Sequence, residues 1–122
     1  MTHRPRPRLR GSDRFLPRAA RGPRSYILGM DLETVQAQME SVYGPRDRAR
    51  GVPATVAWLA EEVGELAKAA RKGTRAEQLH ELGDVLAWLA SLANQLDCSL
   101  TDAFARYADG CPRCATVPCA CP

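Results

Sequence analysis

A chain of 122 residues, 45% hydrophobic and 25% charged, has the size of one small domain and not two. Its apolar runs are short and broken by charge, which excludes a membrane-spanning helix, and its basic start lacks the apolar stretch of a secretory signal, so a cytosolic protein is expected. The formal charge of +3 sums two unlike regions: residues 1–29 hold eight Arg against Asp13, giving +7, and the remainder holds nine Lys and Arg against thirteen Asp and Glu, giving −4.

Residues 1–29 are rich in Arg, Pro and Gly with little apolar periodicity, and are expected to form a disordered arm. Arginines can contact phosphates. With no aromatic interleaving and no recognition helix beside them, nucleic acid is not the expected partner. The arm reads as a solvated extension, or as sequence upstream of a start at Met30.

From Met30 to Asp109 the pattern is helical throughout and the expected fold class is all-α, with four helices. Asp31 can cap a first helix with the apolar stripe Leu32, Val35, Met39 and Val42. Gly44 and Pro45 are expected to stop it, leaving GPRDRARG as a polar connection. Pro53 suits the first turn of a second helix running to about Lys72. Its stripe is Val56, Leu59, Ala60, Val63, Leu66, Ala67 and Ala70. Gly73 closes that helix, and Thr74 with Glu77 forms a capping box for a third. The third helix is expected to bury Leu79, Leu82, Val85, Leu86, Leu89, Ala93 and Leu96. Cys98, at its end, reads as a buried apolar residue. Ser99 and Asp102 cap a short fourth helix through about Ala108. The second and third helices should pair as an antiparallel hairpin. Such a small core, with broad apolar stripes on both long helices, points to a homo-oligomeric assembly.

The chemistry lies in EEVGEL and HELGDV. Glu62 with Glu65, and Glu81 with Asp84, are carboxylate pairs three residues apart, side by side on one helical face. Like charges at that spacing destabilise a helix by about 0.2–0.5 kcal/mol per pair. A hard divalent cation held through carboxylate oxygens, such as Mg²⁺, would offset the repulsion. Helix-dipole stabilisation does not account for them, because Glu61, Glu62, Glu65 and Asp84 lie beyond the first turn. At about 100° per residue, Glu62 and Glu65 fall about 100° and 160° to one side of Val63; Glu81 and Asp84 take the same angles from Leu82. The pairs therefore flank equivalent edges of their stripes and can meet along one groove. Glu61 falls apart from that line. His80 points about 100° from Glu81 and reads as a surface residue.

EEVGE followed by ELGD resembles the EE-x-x-E…E-x-x-D signature of the all-α MazG-type nucleotide pyrophosphohydrolases, and the likeness runs from about Leu32 to Asp109. The resemblance implies hydrolysis of a nucleoside triphosphate to the monophosphate and pyrophosphate with Mg²⁺ (Mn²⁺ as a substitute), in a homodimer or homotetramer. It implies Glu62, Glu65, Glu81 and Asp84 as metal ligands, and Glu61 as a further ligand or the base that orients the attacking water. Phosphates call for cations and a nucleobase for a surface to stack on. Lys68 and Arg106 are candidates for the first, Trp58 and Trp88 for the second, and Asn94 for a base edge. The related alternative is phosphoribosyl-ATP pyrophosphohydrolase, which has similar helices and acids.

Residues 110–122 form a Cys-rich tail outside that signature. Cys111, Cys114, Cys119 and Cys121 are spaced C-x2-C-x4-C-x-C. Pro112 and Pro118 shape turns between them, which suits a structural tetrahedral Cys₄ zinc site. Disulfides, an unstructured oxidation-prone tail and a redox-active thiol pair are the other readings; a reducing cytosol disfavours disulfides. The reading from another functional class is a non-catalytic zinc-containing module that binds nucleic acid or a protein.

Overall fold

The structure is a computed structural model that describes residues 29–122. The arm expected to be disordered falls, save Gly29, outside the described residues. Helix α1 spans Leu32–Arg50, α2 Val52–Lys72, α3 Arg75–Gln95 and α4 Leu100–Phe104, and a 3₁₀ turn, Ala105–Tyr107, follows α4. No strand occurs among the described residues. No described helix is long and apolar enough to cross a membrane.

Local signals set most helix ends. The Asp31 carboxylate accepts from the Thr34 N–H at 2.8 Å, and this bond holds its pKa below the usual carboxylate value. Ser99 does the same for α4, accepting from Asp102 N–H at 3.1 Å. At the start of α3 the Glu77 N–H donates to the Thr74 hydroxyl at 3.2 Å while the Thr74 N–H donates to the Glu77 carboxylate at 2.7 Å. Two otherwise orphaned donors are satisfied at once. Thr74→Ala should cost about 1 kcal/mol and lower Tm by about 4–8 °C, read by thermal unfolding at fixed protein concentration. Gly73 closes α2, its N–H donating to the Ala69 carbonyl at 2.8 Å. A Cβ there would lie 2.7 Å from that same carbonyl oxygen, so only glycine fits.

One end is overridden. Helix α1 does not stop at Gly44 and Pro45 but runs through them to Arg50. Pro45 removes one backbone donor and costs about 3 kcal/mol in a helix interior. The continuation places Asp47 and Arg50 in the interior, 3% and 7% exposed. There the Arg50 guanidinium donates to Asp47 Oδ1 at 2.6 Å and lies 4.8 Å from the Trp88 ring centroid. These tertiary contacts outweigh the local breaker. The stop comes instead at Gly51, whose φ of 85° is open to glycine and strained for other residues. Gly51 N–H closes α1 on the Asp47 carbonyl, and its own carbonyl receives the Thr55 N–H of α2. The two helices thus share one capping residue with no linker.

Helix α3 is central, with α2 packed along one side and α1 along another. Gln36 of α1 locks the second contact. It donates to Asn94 Oδ1 at 3.0 Å and to the Cys98 carbonyl at 2.8 Å. Its carbonyls accept in return, the backbone one from Asn94 Nδ2 at 2.9 Å and the side-chain one from Leu100 N–H at 2.7 Å. One side chain therefore fastens α1 to α3 and to the turn before α4. Cys98 sits in that turn, exposed and not buried, because α3 ends at Gln95 and the chain turns away before it.

The hairpin is the expected one, but its inner face is not. Thr55, Glu62 and Ala69 of α2 are buried against α3, as are Glu81, Trp88 and Ser91 of α3. Trp58 stacks on Trp88 with centroids 5.9 Å apart, and Gln95 donates to the Thr55 hydroxyl at 2.8 Å. The stripe expected to be the core lies mostly outside. Val63 is 49% and Leu82 52% exposed, and Val56, Leu79, Leu86, Leu89 and Leu96 are exposed as well. Buried apolar residues among those described are only Ala69, Trp88, Ala90 and Ala93. Small residues at the contact let the backbones approach, and the bulky aliphatic faces stay exposed among the described residues.

Candidate metal centre and active site

Because the helices meet on the acid-bearing face, the four acids do not flank a greasy seam; they form part of the seam. Glu62 and Glu81 are 5% and 8% exposed, and Glu65 and Asp84 are half-buried. Each pair comes from one turn of one helix, and the capped Gly73–Thr74 turn sets the pairs in register. Glu61, one residue from Glu62, is exposed, apart from the other four as the helical angles require.

Ligand atoms of Glu81, Asp84 and His80 lie within 4.8 Å of one another. Glu62 and Glu65 are not in this close cluster; Glu65 meets Glu81 instead across a cavity of about 210 Å³ at the hairpin end, which Lys68, Lys72 and Glu77 also line. Among the described residues, neither Glu65 nor Glu81 is in an ion pair with Lys or Arg. A carboxylate as buried as Glu81 is costly without a cation. The donor set is almost wholly carboxylate oxygen, which fits a hard divalent ion such as Mg²⁺ and not a soft one.

His80 is corrected from surface residue to partner of a site acid. Its side chain is 9% exposed and its Nε2 lies 3.2 Å from Asp84 Oδ2. The relevant spacing is i,i+4 to Asp84, which brings the two together on the helix.

The substrate candidates separate. Lys68 lines the cavity beside Glu65 and Glu81, and Lys72, which the sequence reading passed over, lines it too. The i,i+4 spacing of the two lysines was the available signal. Trp58 is half-buried. Trp88, at 4% exposure, stacked on Trp58 and covered by Arg50, is a core residue and no platform for a base. Asn94 is also corrected, since its amide oxygen and nitrogen are both engaged by Gln36. Arg106 lies over the Tyr107 ring at 5.2 Å, just beyond a helix that packs chiefly on α1, so the structure does not bring it to the acids. Arg50 was missed because the sequence reading placed it in a connection. One of its nitrogens, Nη2, is buried with no hydrogen-bond partner.

In the C-terminal segment, Cys111 and Cys121 Sγ atoms are 3.8 Å apart and those of Cys114 and Cys119 3.9 Å. All four sulfurs lie within 4.8 Å of one another. The Thr116 hydroxyl lies 3.0 Å from Cys114 Sγ and the Ala120 N–H donates to that sulfur at 3.4 Å. These bonds, the hydroxyl first, hold the Cys114 thiol down to about 5, whereas Cys119, and after it Cys114, push Cys121 up to about 11.

The sequence model of the MazG nucleotide pyrophosphohydrolase domain matches residues 50–113, more than half of the chain. The match takes in both acid pairs and the whole hairpin; Cys114, Cys119 and Cys121 lie beyond it. No curated protein matches the chain.

Proposed function

The chain belongs to the MazG nucleotide pyrophosphohydrolase family, and from that premise we propose that it is a Mg²⁺-dependent hydrolase of a nucleoside triphosphate, releasing the monophosphate and pyrophosphate in a house-cleaning or pool-controlling role. The observation that carries this reading is the burial of Glu62 and Glu81 in the seam between α2 and α3, with Glu65 and Asp84 beside them.

Glu62, Glu65, Glu81 and Asp84 would hold the ion, with Mn²⁺ as a substitute. When bound, such an ion neutralises triphosphate oxygens, makes a water more acidic and stabilises charge on the leaving pyrophosphate. His80 Nε2 keeps the Asp84 carboxylate oriented. Glu61, at the exposed edge, orients the attacking water and accepts its proton. Lys68 and Lys72 bind phosphate oxygens at the hairpin end, and Trp58 offers its ring to the base. No Ser, Cys or His nucleophile is required.

The exposed stripe of Val56, Val63, Leu82, Leu86 and Leu89 supports a homodimer or homotetramer, with a second copy covering it. The described helices make up one catalytic unit in the reducing cytosol, distinct from the Cys-rich segment after Gly110.

A panel of canonical and damaged nucleotides scored for pyrophosphate tests the reading. Mg²⁺-dependent pyrophosphate release from at least one nucleoside triphosphate is expected. Release from phosphoribosyl-ATP alone would replace the substrate class, and no release from any nucleotide with Mg²⁺ or Mn²⁺ would favour a binding module.

A further inference from the structure

Residues 111–121 hold a second metal centre of a different chemical kind: we propose a closed, structural zinc site made by the thiolates of Cys111, Cys114, Cys119 and Cys121. It is independent of the triphosphate reading and lies largely beyond the family match.

Four sulfurs at mutual distances within 4.8 Å, two pairs of them at 3.8 and 3.9 Å, approximate a tetrahedron. A zinc ion with Zn–S of about 2.3 Å requires a sulfur–sulfur edge of about 3.8 Å. Disulfides would bring one pair of sulfurs to about 2.05 Å and leave no reason for the two pairs to converge. All four cysteines are free.

The backbone is shaped for the same purpose. In Cys111-Pro-Arg-Cys114-Ala115 the Ala115 N–H donates back to the Cys111 carbonyl at 2.7 Å. Ala115 takes a left-handed φ of 57°, which a non-glycine residue holds only where its surroundings impose it. The turn presents Cys111 and Cys114 on one side. The C-x-C stretch is returned to it by the Ala120 N–H, which donates to Cys114 Sγ at 3.4 Å, while the Cys121 N–H donates to Cys119 Sγ at 3.4 Å. Such donors suit thiolates carrying charge, as the partners of metal ligands do elsewhere.

Besides these bonds, two backbone N–H groups donate to Thr116 and hold the segment: that of Cys111 to its carbonyl and that of Ala120 to its hydroxyl, each at 3.2 Å. Residues 111–122 contain no helix or strand, and apart from the half-buried Cys111, Cys114 and Cys121 every side chain is exposed, Val117 at 81%. A segment with no apolar core cannot offset its ordering entropy by burial, and a metal cross-link supplies what burial does not. Binding releases the protons of those thiols that still carry one and leaves four thiolates about one Zn²⁺. Every position is then taken by protein, so the site is structural and not catalytic.

The test uses the full chain purified under reducing conditions with zinc and then desalted. Elemental analysis should find one zinc per chain, retained against excess Mg²⁺ and in Glu81→Gln, but lost in Cys111→Ser and Cys119→Ser. A thiol reagent should react at once with Cys98 alone and reach the other four only after zinc is displaced. Should the serine variants fold poorly, wild-type protein loaded with Co²⁺ decides: the thiolate-to-cobalt charge-transfer and visible bands of a tetrahedral tetrathiolate are expected. Zinc absent with all five thiols reduced and reactive, zinc lost in Glu81→Gln but kept in Cys119→Ser, or disulfides found by mass would each overturn the assignment.

Discussion

Replacing Glu81 with Gln should lower Mg²⁺-dependent pyrophosphate release by at least about a hundredfold, because removing a metal ligand costs more than the 10–100-fold typical of its supporting partners. The fold should survive. Glu81 is 8% exposed and sits three residues from Asp84, so neutralising it relieves a like-charge pair. Without Mg²⁺ the variant should therefore melt at or above the wild-type temperature. Wild-type protein should gain stability as Mg²⁺ is added, by linkage of ion binding to the folded state, and the variant should gain much less. This pattern separates a ligand from a residue that merely supports the seam. Glu61→Gln is the contrasting case: about 10²-fold or more lost from kcat, with the Mg²⁺-induced shift in Tm intact. Wild-type turnover in Glu81→Gln would remove it from the ligand set.

Placing a charge in the outer stripe should have the largest effect on stability. Leu82 is 52% exposed in the single chain, where Leu82→Glu would ordinarily be a tolerated surface change within about 0.5 kcal/mol. If a second copy covers the stripe, the same substitution forfeits about 1.5–3 kcal/mol of leucine burial in each subunit and adds the cost of an unpaired buried carboxylate. The four buried apolar residues among those described, three of them alanines, make a small core, so we propose that the assembly supplies much of the stability. Leu82→Glu should thus convert the oligomer to a largely unfolded chain, read by light scattering after size-exclusion chromatography and by circular dichroism. The wild-type Tm should rise with protein concentration. Leu82→Glu keeping wild-type mass and Tm would sink the assembly proposal. Because Leu82 and Glu81 are adjacent on α3, loss of activity in Leu82→Glu alone is no measure of catalysis.

The helical content was legible because its signals are local. Asp31, Thr74 with Glu77, Ser99 and Gly73 act within a few residues of themselves, and each forms the cap its side chain or backbone allows. The spacing of Glu62, Glu65, Glu81 and Asp84 also reads directly, since residues three apart share a helical face whatever surrounds them. The i,i+4 spacing of His80 and Asp84 is a local signal of the same kind.

Other features required the neighbours. Pro45 breaks a helix in isolation, yet the Asp47–Arg50 pair and the Trp88 ring hold the next turn in place. Trp88 and Asn94 were chemically plausible contacts for a nucleotide, but Arg50, Trp58 and Gln36 already occupy them. Cys98 looked apolar and buried, and one missing helical turn left it outside.

By itself, then, the sequence determined that the body is all-α, where most helices begin and end save the stretch from Gly44 to Arg50, and that two carboxylate pairs occupy matching faces. Only the tertiary structure decided which face of each helix turns inward. Periodicity is a property of one helix and identifies two faces, apolar and acidic, without saying what each will meet. Thr55, Ser91 and Ala69 are small enough to let α2 and α3 close upon the acids. The bulkier Val63 and Leu82 remain outside because no other helix among the described residues packs over them.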